Sequence, residues 1–298
     1  MKYLLAGASG FLGTALRVRL AEQGHEVVRL VRTDPIAGTE FRWHPAAGTI
    51  DERAFVGVDV VINLCGVGIA DRPWTAGRRR LLQSSRVDPG RTLSQALARL
   101  DRKPAVYLQA SGISGYGTDI GDPAATEDSP PGTDFLSRLI QAWEEAAKPA
   151  ADAGIRTVIL RTSPVLDRSG GLLGLARIPW SFGLGARLGD GRQRTPMISL
   201  TDYLRAVEWA VATPSARGPY NLTIPEPTTS AEFTDALARL LNRPRVLAVP
   251  APLLRRGMGE LAEQLLGDMN VVPARLLAEG FTFAGPDIET TLRLALAR

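Results

Sequence analysis

The chain is poor in the residue types that carry most polar chemistry. Its 298 residues include one cysteine, Cys65, and two histidines. A single cysteine excludes an internal disulfide and fits a reducing cytoplasm. With His25 and His44 alone, no zinc-ligand spacing and no convincing Ser-His-Asp set can be assembled. No apolar run approaches the roughly 18 residues of a membrane span. The N-terminus also lacks the apolar stretch and cleavage site of a signal peptide. Lysine is scarce beside arginine, and the net charge is only +4. The arginines are scattered among acids, apart from Arg78-Arg79-Arg80, which fits a solvated helix face. A nucleic-acid partner is therefore not expected.

What the chain does have is strand–helix alternation. KYLLAG is a short apolar strand, and the stretch after it places Leu12, Ala15, Leu16 and Leu20 on one helical face, ended by Gly24. HEVVRLVR and the run from Val58 (VDVVINLCG) are further strands, the latter apolar enough for burial on both faces. Helices are expected over 73–86, 89–99 and 135–151, with strands at 105–111 and in IRTVILR. This pattern predicts an α/β fold: a Rossmann-like parallel sheet flanked by helices, with a smaller C-terminal substrate-facing lobe. The expected division is a dinucleotide-binding domain over 1–165, to which later segments return, and a mainly substrate-facing portion over 166–298.

Gly7, Gly10 and Gly13 form GxxGxxG between a strand and a helix. Gly7 would make a tight turn, Gly10 would let backbone approach a pyrophosphate, and Gly13 would allow close helix–strand packing. Phe11 and Leu12 lie in the same phosphate-facing turn. Ser9 either donates to a phosphate or caps the helix. The second strand ends at Arg32. A cation there matches a 2′-phosphate better than a ribose diol, so Arg29 or Arg32, with Arg32 better placed, favours NADP over NAD. Leu64, Cys65 and Gly66 end a buried strand: Cys65 reads as core filling, and Gly66 would let the backbone approach the cofactor.

Several stretches together carry a family resemblance: GASGFLG, NLCG, ADRPWTAGRRRLLQSSRV, SGISGYG, FLSRLIQAWEEAA, LRTSPVL, GPYNLTIPEPTTSAEF and VPARLLAEGFTF. With these, the chain resembles the extended short-chain dehydrogenase/reductase superfamily, and more narrowly the bacterial epimerase family proteins of uncertain activity. The resemblance spans nearly the whole chain and implies a nicotinamide cofactor and a small, polar substrate. It also implies a serine at Ser111 assisting a tyrosine that has a lysine four residues beyond it. No such pair exists. Four residues beyond Tyr3, Tyr107, Tyr116, Tyr203 and Tyr220 stand Gly7, Ser111, Ile120, Val207 and Ile224. Leu136 and Ile140 align where the pair would be, and neither transfers a proton.

Two local candidates are left for that chemistry. Ser111 lies near cofactor or substrate, or caps a strand end. Tyr116 is a ligand or catalyst, or a packing aromatic in its glycine-rich loop. Trp74 covers the cleft or anchors a helix, and Arg86 forms a local ion pair or approaches an anion. Trp180 and Phe182 line a cleft or pack the lobe; Arg192 and Arg194 receive an anionic substrate or lie in a solvated loop. Asp119, Asp122, Glu127 and Asp128 stand in exposed turns at a substrate mouth. Asp202 at a helix start has a structural role, with Thr201 or Ser199 as its cap, and Ser230 is expected to cap a later helix. The functional expectation is an NADP(H)-binding oxidoreductase or nucleotide-sugar-epimerase-like enzyme acting on a small polar carbonyl or alcohol. The alternative is a non-catalytic NADP(H)-binding regulator or scaffold. A homodimer is common in this fold.

Overall fold

The computed structural model describes residues 1–171, 173–174, 185–243 and 247–297. The chain divides into two units. Met1–Ser111, Leu139–Leu160 and Glu208–Pro219 make the first; Gly112–Arg138, Arg161–Val207 and Tyr220–Arg298 make the second.

The strands are β1 (Lys2–Ala6), β2 (Glu26–Val31), β3 (Glu40–His44), β4 (Thr49–Ile50), β5 (Val60–Asn63), β6 (Val106–Gly112), β7 (Arg156–Thr162), β8 (Val165–Asp167), β9 (Ala186–Leu188), β10 (Ile198–Ser199), β11 (Gly218–Leu222) and β12 (Leu247–Val249). An eight-stranded sheet has the order β11-β7-β6-β5-β1-β2-β3-β4. β1 is parallel to both β2 and β5, and β5 to β6. β3 runs parallel to β2, and β4 is an antiparallel edge. From β1 the chain winds outward through β2 and β3, then crosses back to β5 and continues the other way. The order therefore reverses between β1 and β5, where the carboxyl ends of the strands open a crevice. As its continuous apolar run demands, β5 is buried at every position.

The helices of the first unit cover this sheet. α1 (Phe11–Glu22) buries Gly13, Leu16 and Leu20. α2 (Ala76–Arg99) starts at Thr75, whose side chain accepts from the Arg78 N–H. The sequence suggested two helices separated at Pro89, yet one helix runs through it. Val87, Pro89, Gly90 and Leu93 are all buried, and this burial on both sides of the proline offsets its cost of about 3 kcal/mol. Conversely, the single helix expected over 135–151 is two, α3 (Phe135–Glu145) and α4 (Lys148–Asp152), the second having proline in its first turn. The edge strands β3 and β4 were not anticipated; their burial is partial, with Trp43 alone driven into the core.

α5 (Leu200–Ala212) starts in the second unit and is capped by Ser199, whose hydroxyl accepts from the Asp202 N–H at 3.0 Å. Asp202 is fully buried and accepts from the Ala284 and Gly285 N–H groups, each at 2.8 Å. Its role is structural, as its position at the helix start suggested. α6 (Ser230–Leu241) is capped by Thr229 instead of the expected Ser230. Thr229 and Glu232 form a reciprocal capping box, whereas Ser230 is buried as the first helical residue. α7 (Ala251–Met258), α8 (Glu263–Leu266), α9 (Ala274–Ala278) and α10 (Ile288–Leu296) complete the unit. Leu166, Met197, Leu237 and Leu292 form one of its cores. No helix among the described residues is long and apolar enough to cross a membrane.

Candidate functional site

The crevice at the strand reversal is built from backbone. Gly7 follows β1 with φ +80°, a left-handed conformation that glycine adopts without steric cost. A Cβ there would also lie 2.7 Å from the Leu64 carbonyl carbon and 2.9 Å from the Cys65 nitrogen. The turn after β1 thus abuts the segment after β5. Gly13 packs still closer: its Cβ would fall 2.2 Å from the Gly7 oxygen. Gly10 is the N-cap residue of α1, and no side chain caps the helix. Ser9 and Gly10 are exposed, Phe11 and Leu12 half-buried, and the first turn holds no acid. The positive end of a twelve-residue helix therefore faces outward with its N–H donors uncapped.

The two arginines of β2 separate cleanly. Arg29 pairs with Glu40 at 2.6 Å. Arg32, just past the strand end, is exposed and forms no ion pair or hydrogen bond with the described residues. Burial pushes the Cys65 thiol up to about 12, against the pull of the Arg32 charge. Cys65 therefore stays a protonated thiol, in keeping with core filling.

The segment Leu64–Gly66 is held from below by a network invisible in the sequence. Asn63, Tyr107 and Gln109 are fully buried within the sheet. The Asn63 amide donates to Gln109 Oε1 at 2.9 Å, and its oxygen accepts from the Cys65 N–H at 3.1 Å. Tyr107 also donates to Gln109 Oε1. Each buried polar group has a partner, so the network fixes where the Cys65 backbone lies.

Ser111 lies near the carboxyl end of β6, two residues past Gln109, which pairs with Asn63 of β5. It is buried, and its hydroxyl donates to Glu144 Oε1 at 2.6 Å. Nothing in the sequence pointed to this pair; 33 residues separate the partners, so no local motif joins them. Leu136 and Ile140 are buried apolar residues of α3, as the missing Tyr-Lys pair implied.

Tyr116 belongs to the second unit, in a short 3-10 turn over Ile113–Tyr116. Its hydroxyl donates to Asn221 Oδ1 at 2.8 Å and accepts from Arg161 Nη1 at 2.7 Å. The Arg161 guanidinium also lies over its ring, 5.1 Å from the centroid. Burial raises the phenol pKa, against the lowering influence of Arg161 and Asn221. Beside it, Glu127 is buried and accepts from the N–H groups of Asn221 and Arg275 at 3.0 and 3.2 Å. Glu127 thus joins a buried network, contrary to the expected exposed turn. Arg194 is bound to Asp268 and Asp122, and is not a free cation. Trp180 and Phe182 lie outside the described residues.

Known proteins resemble the chain over its full extent. The NAD dependent epimerase/dehydratase family matches residues 3–223, and a domain of unknown function, DUF1731, matches residues 249–295. An epimerase family protein of Mycobacterium bovis is 42% identical over 295 residues, covering 99% of this chain and 97% of that protein. The mouse epimerase family protein SDR39U1 is 34% identical over 305 residues, covering both chains entirely. The crystal structure of human SDR39U1 with NADPH superposes with a TM-score of 0.89 at 29% identity, covering 99% of each chain. A Thermus thermophilus UDP-glucose 4-epimerase solved with NAD shares the fold, with a TM-score of 0.75 at 19% identity, covering 99% of this chain and 97% of that one.

Proposed function

The chain belongs to the NAD dependent epimerase/dehydratase family, and from that premise we propose that it is an NADP(H)-dependent oxidoreductase or epimerase-like enzyme of the cytoplasm acting on a small polar alcohol or carbonyl. The observation that carries this reading is the glycine turn wedged against Leu64–Cys65 where the sheet order reverses, with an uncapped helix in front of it and Arg32 free beside it. Gly7, Ser9, Gly10, Phe11, Leu12 and Gly13 would hold the phosphates, and Leu64, Cys65 and Gly66 would line the cofactor with backbone. Arg32 would take the 2′-phosphate that distinguishes NADP from NAD. The NADPH in the human relative supports the choice, while distant epimerases solved with NAD support the fold alone.

A bound nicotinamide supplies the hydride donor and acceptor. The protein's own task is then to manage one proton on the substrate oxygen. Ser111 binds that oxygen and Glu144 exchanges the proton through the Ser111 hydroxyl, a route that needs neither tyrosine nor lysine. In the oxidising direction the alcohol proton passes to Ser111 as the Ser111 proton passes to the Glu144 carboxylate; reduction reverses both transfers. Tyr116, with its hydroxyl engaged on both sides, positions its loop.

Buried Leu136 and Ile140 favour the second reading, a binding protein without turnover. Turnover assays decide between them. Small polar aldehydes, ketones and keto sugars are incubated with nicotinamide-deuterated NADPH, and deuterium in the substrate is measured by mass spectrometry. We expect transfer, reduced about 100-fold in Ser111→Ala and Glu144→Gln with NADPH affinity unchanged. Tight NADPH binding without transfer to any of them would establish the regulatory reading.

A further inference from the structure

The segment Gly66–Thr75 crosses from β5 to α2 with no regular secondary structure. Its backbone is tied down by side chains. Arg86 Nη2 donates to the Val67 oxygen at 2.8 Å, and Arg78 Nη2 donates to the Gly68 oxygen. The Trp74 indole donates to the Ile69 oxygen at 2.9 Å, and the Val67 N–H donates to Ser85 Oγ at 3.3 Å. Arg78 and Arg86 are eight residues apart on α2 and so share one face.

These arginines are unusual in what they lack. Arg86 is 5% exposed and has no carboxylate partner among the described residues. Its other donor contact at good distance is the Leu82 oxygen, at 3.1 Å. Arg78 has Asp71 at 3.6 Å, and that carboxylate is largely exposed. Arg78 Nε, Arg86 Nε and Trp143 Nε1 are buried donors without an acceptor among the described residues. Trp143 lies beside Arg86, whose guanidinium is 5.1 Å from the indole centroid. Burial, with the like charge of Arg78 near it, brings the Arg86 pKa down to about 10 against the opposing pull of Asp71. The Gly66 backbone packs directly against the guanidinium: a Cβ there would sit 3.1 Å from Arg86 Cζ and 3.2 Å from Nε.

A buried cation among spare donors, whose shorter hydrogen bonds go to carbonyl dipoles and whose nearest carboxylate influence is the largely exposed Asp71, is under-compensated. An oxyanion would satisfy it better, because charge-assisted hydrogen bonds are about twice as strong as neutral ones. The Val67 and Gly68 oxygens hold the positions that oxyanion oxygens would take. Trp143 shares α3 with Glu144, its neighbour in sequence. We propose that Arg86 and Arg78, with the Trp143 indole, form a subsite for a phosphate or carboxylate group of the substrate, the Gly66–Thr75 strap exchanging its carbonyls for that anion. The substrate is thereby an anionic alcohol or carbonyl compound. This rests on the crevice being the substrate site proposed above, and it deepens that reading.

Inorganic phosphate is titrated calorimetrically into the protein alone and into NADPH-saturated protein. The comparison set is wild type, Arg86→Gln, Arg86→Lys, Arg78→Gln and the exposed-position control Arg80→Ala, each checked by its melting profile. We expect binding with and without NADPH, weakened at least about tenfold in Arg86→Gln, less in Arg86→Lys and Arg78→Gln, and unchanged in Arg80→Ala. Phosphate binding by a protein that takes no dinucleotide would sink the cofactor assignment and leave the anion site standing. Equal binding by wild type and a folded Arg86→Gln overturns the proposal, as does no binding at all. Binding that NADPH abolishes assigns the arginines to the cofactor and also overturns it; an adventitious ion would bind every variant alike.

Discussion

Ser111 and Tyr116 stand five residues apart and end in opposite situations. Ser111 donates to the Glu144 carboxylate, in a unit that also holds Arg32, which has no ion pair or hydrogen bond among the described residues, and the spare donors of Arg78, Arg86 and Trp143. Tyr116 is held by two partners in a network where Glu127, Asn221, Arg161 and Arg275 satisfy one another. Polar groups that fold a protein are paired within it; polar groups that await a ligand keep donors or charge in reserve. By that measure the reserve lies with Arg32, Arg78, Arg86 and Trp143, and the proposal that Ser111 rather than Tyr116 handles the proton rests on its Glu144 partner.

Three substitutions sharpen the contrast. The largest effect is expected from Asp202→Ala. It removes a fully buried carboxylate from the Ala284 and Gly285 N–H groups and from Arg205, at a cost of about 3 kcal/mol in denaturant titration. NADPH affinity should be unchanged, because every one of these partners lies in the second unit. Gly13→Ala comes next: its Cβ meets the Gly7 oxygen and forces the turn open, destabilising the fold by about 2 kcal/mol. Unlike Asp202→Ala, it should also weaken NADPH binding severely; preserved affinity would break the assignment of the turn. The smallest effect is expected from Tyr116→Phe, which leaves Asn221 and Arg161 each short of one hydrogen bond, at about 1 kcal/mol. Turnover should be nearly unchanged. A loss of turnover as large as that of Ser111→Ala would reinstate Tyr116 as the proton donor.

How much of this was legible depends on the range of each interaction. The glycine turn, the buried β5 and the cation after β2 are local patterns, and the structure places them as the sequence suggested. Thr229 was legible too: the T-x-x-E spacing to Glu232 is the capping-box signature, and choosing the adjacent Ser230 overlooked it. Pro89 misled because the burial around it, which offsets a proline's cost inside a helix, exists only in the packed fold. The Asn63–Gln109 pair and the Ser111–Glu144 pair were illegible for a different reason. They join residues 46 and 33 positions apart, and only the strand register and the placement of α3 bring them together. The isolation of Arg86 has the same origin, since no sequence pattern shows which acids a cation lacks.

On this proposal NADP(H) occupies the crevice between β1 and β5, and Arg32 reads its extra phosphate. Calorimetry of NADPH and NADH against wild type and Arg32→Ala tests this most directly. Tighter NADPH binding is expected in the wild type, falling about tenfold or more in the variant while NADH binding stays constant. Equal affinity for the two dinucleotides, or an equal loss of both in Arg32→Ala, would contradict it.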